Sequence, residues 1–349
     1  MMDAARQDER EPAVAAAELA DPAREPESRR RRWSVTSERH FASRYAIIGV
    51  WAAMIVVYAA TEPVFFHVRT FQSIFNGQQP LVFMAMALLC TIIVGEFVDL
   101  SVPSVFVFAS TVLAVLVVNH GWGVWPAAIV AVAAAMLVGV INALLVVKTG
   151  VNTIVVTLGM GTLLQGISMW MSNDNTISGM SPGFQKIALT DVGGLQISFY
   201  YGVVLVLAFA YLLAFTPLGR HMRFVGASRE VSRLSGVRVD RIRFGSFVFA
   251  GLLSGVGAVV AVAALGGSFT AASADVNLLP VFASVFLGTA ILEPGRFNPI
   301  GTFIGIYFLA TGVFGLELLN ANVWISPVFY GGVLVVAVTI STLLHRRTT

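Results

Sequence analysis

The stretch VGASREVSRLSGVRVDRIR, residues 225–243, interrupts a largely apolar sequence with five arginines. Arg220 and Arg223 stand just before it and lengthen the basic segment. Long apolar runs flank this segment on both sides, and no other basic segment of this length follows the first apolar run. The segment therefore divides the apolar part of the chain and gives a reference point for its topology.

The composition of the flanking runs is typical of a polytopic membrane protein. The 349 residues are 57% hydrophobic and only 12% charged, with a mean hydropathy of +0.81, whereas soluble domains carry about 25% charged residues. A net charge of +3 is too small to indicate a nucleic-acid partner, and we expect none. The single cysteine, Cys90, cannot form an internal disulfide and is interpreted as a small buried side chain.

Ten apolar runs are long enough to cross a bilayer, which takes about 20 helical residues. We predict an all-α membrane protein with about ten transmembrane helices, some of them broken. The predicted spans lie at about 45–61, 74–95, 102–118, 126–147, 153–171, 199–215, 244–265, 278–292, 298–318 and 326–344.

Charge placement along the chain predicts the topology. Lys and Arg favour cytoplasmic loops. If the chain has ten spans and both termini are cytoplasmic, then Arg69 and Lys186 are the only Lys or Arg residues after the first span that fall on the extracytoplasmic side. Residues 1–43 are rich in charge and lack apolar periodicity, so we predict a disordered cytoplasmic tail. Residues 44–344 form the membrane domain, and 345–349 form a second cytoplasmic tail.

The basic segment carries the signals of a two-turn helix. Ser228 is a good N-cap and Gly236 is a good stop. Val231 and Leu234 share one face at i, i+3 spacing. A helix over 229–235 is too short to be stable alone, so it must pack against its own membrane domain or against a cytoplasmic partner. The pattern alone leaves both possibilities open.

Four stretches, in order, carry a resemblance to a known family. In its longer form, TPLGRHMRFVGASREVSRLSGV (216–237), the basic segment resembles the coupling loop of permease subunits of bacterial sugar ABC importers, the ribose, xylose and arabinose group. The other stretches that resemble this family are GEFVDLSVPSV (95–105), VNTIVVTLGMGTLLQGISMWMS (151–172) with ISGMSPGF (177–184), and FAGLLSGVGAVVAVAALGGSFTAAS (249–273). The resemblance covers about residues 44–344.

The sequence also departs from the family pattern. Glu96 and Phe97 stand where the family has small or apolar residues, and Pro103 replaces a glycine. The family's glycine-rich stretch takes the form GTAILEPGRFNPIGT (288–302). These departures affect the identity of the solute more than the mechanism.

The resemblance implies a type II ABC importer permease fold in the bacterial inner membrane, without a cofactor. It also implies three kinds of protein partner: a second permease chain, identical or different, cytoplasmic ATPase subunits that bind the coupling loop 216–243, and an extracytoplasmic binding protein that meets the outer loops, including 173–198. The coupling residues that it implies are Gly226, Ala227, Ser228, Arg229, Glu230, Val231, Leu234, Ser235 and Gly236.

The chain lacks the phosphate-binding motif that ATP-driven transport requires. No G-x-x-x-x-G-K-[ST] sequence occurs, and neither Lys148 nor Lys186 follows a glycine. If transport is driven by ATP, another chain binds the nucleotide, and this chain is not itself an enzyme. No grouping of His, Cys and Asp has the spacing of a metal site.

Polar residues within the apolar runs are candidates for the substrate pathway, because ionisable groups in a membrane are costly and usually functional. Asp99 lies between Gly95 and Pro103, where a regular helix is broken. An alternative for Asp99 is a helix cap or a surface charge, and for the others it is hydrogen bonding between helices. The candidate pathway residues are Asp99, Ser101, Asn142, Thr157, Gln165, Asp275 and Asn277.

Few carboxylates lie along the apolar runs, and this favours a neutral solute such as a sugar or polyol. An ion-coupled secondary transporter is the alternative, with Asp275 and Glu317 as the nearest carboxylates. A membrane anchor without transport would not need so many glycines and broken helices. The sequence does not name the sugar.

Overall fold

The computed structural model describes residues 47–96, 99–265, 268–269, 274–293, 295–319, 322 and 324–345. The predicted tail 1–43 and the last four residues of the predicted tail 345–349 lie outside the described residues. Side chains are described for these ranges apart from 268, 274–277 and 340–345.

The described chain is a helical bundle with four very short strands. The helices are α1 Ile47–Thr61, α2 Val68–Asn76, α3 Gln79–Ile93, α4 Val102–Ala114, α5 Val124–Ala143, α6 Thr153–Ser172, α7 Pro182–Leu189, α8 Ile197–Phe215, α9 Pro217–Ala227, α10 Arg229–Leu234, α11 Val239–Ala264, α12 Ala274–Gly288, α13 Pro299–Leu318 and α14 Ile325–His345. A 3-10 turn covers Pro63–Phe66, and π-helical turns at Val115–Asn119 and Leu144–Lys148 extend α4 and α5. The strands are β1 Ile177–Ser178, β2 Asp191–Val192, β3 Leu195–Gln196 and β4 Ser268–Phe269.

The predicted spans coincide with ten apolar helical segments of the described residues. Seven are long enough to cross a membrane, and three shorter ones lie at Ile47–Thr61, Leu278–Gly288 and Ile325–Thr339. The predicted count of about ten membrane helices agrees with this set. The helix of the seventh span, α11, begins at Val239, ahead of the predicted span at about 244–265. The apolar run marks only the part of the helix that suits lipid, and α11 extends beyond it.

The core of the bundle is formed by α3 and α11. Almost every side chain of α3 is buried, and α11 packs against α3, α4 and α5. A Cβ atom on Gly251 would lie 2.5 Å from the carbonyl oxygen of Ala135 on α5. The glycines of α11 allow this close approach of two backbones, because small residues let membrane helices pack tightly. A second group of helices, α12 to α14, packs together beside this core, and α12 and α13 both contact α3.

Connections along the chain meet at two ends of the bundle. At one end, β1 pairs with β4 and Gln72 of α2 donates a hydrogen bond to the carbonyl of Gly194 in the β2–β3 hairpin. At the other end, the residues after α3, before α6 and around α10 contact one another. The connection between α3 and α4 and the segment around α10 therefore share one end, while the strands before and after α7 and the strand after α11 lie at the other.

Candidate functional site

The basic segment folds as two short helices followed by the first turns of α11. The Ser228 side chain accepts a hydrogen bond from the Val231 amide at 3.4 Å and caps α10. Gly236 has a φ of +80° and follows the end of α10. The predicted cap and stop are therefore confirmed, although α10 ends at Leu234, one residue earlier than predicted. The predicted coupling loop 216–243, which connects two membrane spans, consists mostly of helical residues in α9, α10 and the start of α11.

The outer face of α10 presents two uncovered apolar side chains. Leu234 is 89% exposed and Val231 is 51% exposed, while Ser232 is buried against the rest of the chain. The Ser232 hydroxyl donates to the carbonyl of Ser228 at 2.7 Å. The helix therefore packs on its own membrane domain through one face and holds its apolar face outward. Of the other predicted coupling residues, Ala227, Glu230, Ser235 and Gly236 are exposed, and Gly226 is half-buried.

Gly226 places the end of α9 directly against the end of α3. A Cβ atom at this position would overlap the carbonyl oxygen of Ile93 and lie 3.0 Å from its carbonyl carbon and 3.4 Å from the Gly95 amide nitrogen. Only a glycine allows the two backbones to come this close. The basic segment is thereby fixed to the break between α3 and α4, where Gly95 has a φ of +85°.

Glu96 ties the same two regions together by charge. Its carboxylate is 3% exposed, and its Oε1 atom lies 2.8 Å from Nη2 of Arg229 and 2.5 Å from Nε of Arg243. The Thr153 hydroxyl donates to Oε2 at 2.5 Å. A buried carboxylate without partners would be costly, and here two guanidinium groups and a hydroxyl offset that cost. One side chain thus links the break, α6, α10 and α11.

This cluster was not predicted from the sequence. Arg229 was expected to face an ATPase, but its Nη2 atom donates to the carbonyl of Gly95 at 2.8 Å and to Glu96 of its own chain. Arg229 remains 41% exposed, whereas Arg243 is 13% exposed. The only signal in the sequence was Glu96 itself, a carboxylate where the family has small or apolar residues. A cavity of about 460 Å³ adjoins the cluster and is lined by Arg229, Arg243 and the residues before α6.

Four of the predicted pathway residues meet beside the break. The Asp99 Oδ1 atom accepts hydrogen bonds from the Ser101 amide at 3.1 Å and the Ser101 hydroxyl at 2.7 Å. Asn142 of α5 donates to the Ser101 hydroxyl oxygen at 2.9 Å, and Thr157 of α6 accepts from the amide of Leu100 at 3.1 Å. The alternative of a surface charge at Asp99 was wrong, because Asp99 is 2% exposed and covered by α5 and α11.

Asp99, Ser101 and Asn142 line a cavity of only about 10 Å³, which Ser254 of α11 also lines. The Asn142 Oδ1 and Ser254 Oγ atoms are buried there without a hydrogen-bond partner among the described residues. The space suits roughly one water molecule, while pockets for small ligands measure about 300–1,000 Å³. In this conformation the cluster joins helices and leaves no room for a sugar.

The remaining predicted pathway residues lie elsewhere. Gln165 is half-buried on α6, eight residues beyond Thr157, which corresponds to about 12 Å along the helix. Asp275 and Asn277 fall in the first turn of α12, where the side chains lie outside the described ones. Glu317, considered for ion coupling, is exposed near the end of α13. The described residues contain no group of three His, Cys, Asp or Glu side chains that could hold a metal.

Comparison with known proteins places this fold in a transport family. Residues 71–338 match the family described as the permease component of the branched-chain amino acid transport system. The L-arabinose ABC transporter permease of Azospirillum brasilense is 25% identical over 85% of this chain and 86% of its own length. The ribose import permease of Escherichia coli K12 is 27% identical over 82% and 90%, and the D-allose permease of the same strain is 24% identical over 88% and 94%.

No solved structure gives a significant match to the chain. The family match spans most of the sequence and includes α10 and two groups of residues. These are the Glu96 cluster, formed by Glu96, Thr153, Arg229 and Arg243, and the Asp99 cluster, formed by Asp99, Ser101, Asn142 and Thr157. The chain belongs to this family of permease components and is a multi-pass membrane subunit of an ABC transport system.

Proposed function

We propose that this chain is the permease subunit of an importer that moves a monosaccharide across the bacterial inner membrane at the expense of ATP hydrolysed by partner subunits. The named relatives serve L-arabinose, ribose and D-allose. All three are neutral polyhydroxylated molecules, which need hydrogen-bonding groups and no fixed counter-charge. The buried hydroxyl and amide groups around Asp99 and Ser101 supply such groups.

The observation that carries the proposal is the exposed apolar face of α10. Val231 and Leu234 stand out from a helix that is capped, stopped and anchored to the membrane domain. Exposed apolar patches with a polar rim are typical of protein interfaces. An ATPase subunit that receives this helix would supply the nucleotide site for which this chain carries no motif.

The placement of basic residues supports a cytoplasmic position for α10. Seven arginines lie between residues 220 and 243, and Lys148 ends the π turn after α5 at the same end of the bundle. The opposite end carries Arg69 and Lys186. Because basic residues favour the cytoplasmic side, α10 faces the cytoplasm in this proposal and both chain termini do so too.

The opposite end then faces the extracytoplasmic binding protein. Residues 173–198 are folded there into β1, α7 and the β2–β3 hairpin, so they offer a shaped surface and not a loose loop. The largely exposed helices α6 and α8 would meet lipid or a second permease chain. Transport requires the Asp99 cluster to open, because its cavity holds no sugar in this conformation.

The test is uptake by cells that express the chain with its own partner subunits. Labelled L-arabinose, D-ribose and D-allose are supplied separately, and a strain lacking only this chain is the control. We expect this chain to be required for accumulation of at least one of them, and accumulation to stop when the cells are depleted of ATP. Purified chain alone should neither hydrolyse ATP nor bind it with micromolar affinity. Hydrolysis by the chain free of other subunits, or uptake driven by an ion gradient without ATP, would refute the proposal.

A further inference from the structure

The Glu96 carboxylate connects the proposed docking helix α10 to the break that precedes Asp99. Arg229 is the first residue of α10, and Glu96 stands three residues before Asp99. The Arg229 guanidinium contacts both the Gly95 carbonyl and the Glu96 carboxylate. Any displacement of α10 must therefore either move the break between α3 and α4 or separate this ion pair.

We propose that Glu96 is the positioning residue that transmits movement of α10 to the Asp99 cluster. In this proposal Arg229 moves with α10, while Arg243 and Thr153 hold the Glu96 carboxylate in place. The inference rests on the proposed function, because it assigns to the ATPase the force that moves α10.

The difference in burial between the two arginines assigns these roles. Arg243 is 13% exposed and lies on α11, which belongs to the core of the bundle, whereas Arg229 is 41% exposed on a six-residue helix. The cavity of about 460 Å³ next to Arg229 gives its side chain room to move. If Arg229 withdraws, the Glu96 carboxylate keeps one guanidinium and one hydroxyl as partners. Two arrangements are thus available without leaving a buried charge unpaired, and a switch requires such a pair of states.

The chain offers a matched pair of variants on the same helix. Arg229→Gln removes the ion pair between α10 and Glu96 and leaves the Glu96 carboxylate paired with Arg243 and Thr153. Arg233→Gln removes an arginine four residues later, whose ion pair with Asp240 is 3.4 Å long and largely exposed at both partners. The two substitutions change charge equally, and only the first touches Glu96.

The first measurement uses the purified chain alone, so it does not depend on any ATPase. The amides of Gly95 and Glu96 donate to the carbonyls of Ile92 and Thr91 at 2.9 and 3.0 Å. Loss of a charge-assisted contact at this point should speed their hydrogen exchange by roughly three- to tenfold in Arg229→Gln. Arg233→Gln should leave the exchange unchanged. Equal exchange in both variants would overturn the proposal.

The second measurement uses the transporter assembled with its own ATPase and binding protein. Arg229→Gln should keep the ATPase bound and hydrolysing, while sugar imported per ATP falls at least about threefold, because docking survives and transmission does not. Arg233→Gln should keep the wild-type ratio. If Arg229→Gln instead releases the ATPase, or keeps the ratio, the proposed role is wrong.

Variants of Glu96 provide an independent check. Glu96→Gln removes the charge that both arginines share and should lower sugar imported per ATP as Arg229→Gln does, whereas Glu96→Asp should restore part of the ratio. Full coupling in Glu96→Gln would contradict the proposal. Failure of the proposed function is seen separately, as the absence of any ATPase bound to the wild-type chain.

Discussion

Gly226→Ala tests whether the basic segment is held to the membrane domain as the structure shows. The added Cβ would overlap the carbonyl oxygen of Ile93, with the Ile93 carbonyl carbon only 3.0 Å away. Both obstacles are backbone atoms, so relief requires the ends of α9 and α3 to separate by roughly 1 Å. Overpacking of this kind costs about 1–3 kcal/mol, which corresponds to a roughly 5- to 150-fold rise in the population that has locally opened.

Native-state trypsin cleavage measures this population, because slow cleavage tracks the equilibrium fraction of the open form. The seven arginines between residues 220 and 243 supply the cleavage sites. We expect cleavage within this segment to quicken in Gly226→Ala by the same factor. Gly245→Ala on α11 is the matched control, since a Cβ there meets nothing within 4 Å. Equal cleavage rates in Gly226→Ala, Gly245→Ala and wild type would refute the close packing of α9 on α3.

Two further predictions concern the helix stop and the topology. Gly236→Val should weaken binding of the ATPase, because a β-branched residue opposes the φ of +80° at this position. Gly236→Asn should bind the ATPase almost as well as wild type, since Asn tolerates a left-handed conformation. Equal binding of both variants in a pull-down would count against a role for Gly236 in ending α10. In a Cys90→Ala background, a cysteine at position 186 should react with a membrane-impermeant maleimide in intact cells, and a cysteine at position 229 should not. External labelling at position 229 would overturn the proposed orientation.

Local signals of the docking helix could be predicted from the sequence because they act over a few residues. Ser228 and Gly236 define the two ends of α10, and their roles depend only on neighbouring backbone groups. Apolar length likewise located the ten membrane segments. The start of α11 at Val239 was missed, because hydropathy marks where lipid begins and a helix can continue past that point.

Contacts between distant residues could not be predicted from a single sequence. Glu96 meets Arg229 and Arg243 across 133 and 147 positions, and nothing in the local pattern pairs them. Asp99, Ser101, Asn142 and Thr157 were candidates individually, but only the packing of α5 and α6 against the break brings them together. The closure of Asp99, Ser101 and Asn142 around a cavity of about 10 Å³ depends on the conformation and has no signature in composition or spacing.

The most direct test of the account is whether Leu234 anchors an ATPase. Leu234 is 89% exposed in the chain alone, and burial of a leucine side chain contributes about 1.5–3 kcal/mol. Leu234→Asp should therefore weaken binding of the partner ATPase by at least roughly tenfold. Leu234→Met, which keeps the apolar contact, is the control, and both variants are compared at equal amounts of membrane-inserted protein. The measurement is co-purification of the ATPase together with sugar uptake. The account predicts loss of both in Leu234→Asp and retention of both in Leu234→Met. Wild-type co-purification and uptake in Leu234→Asp would show that α10 is not the docking element.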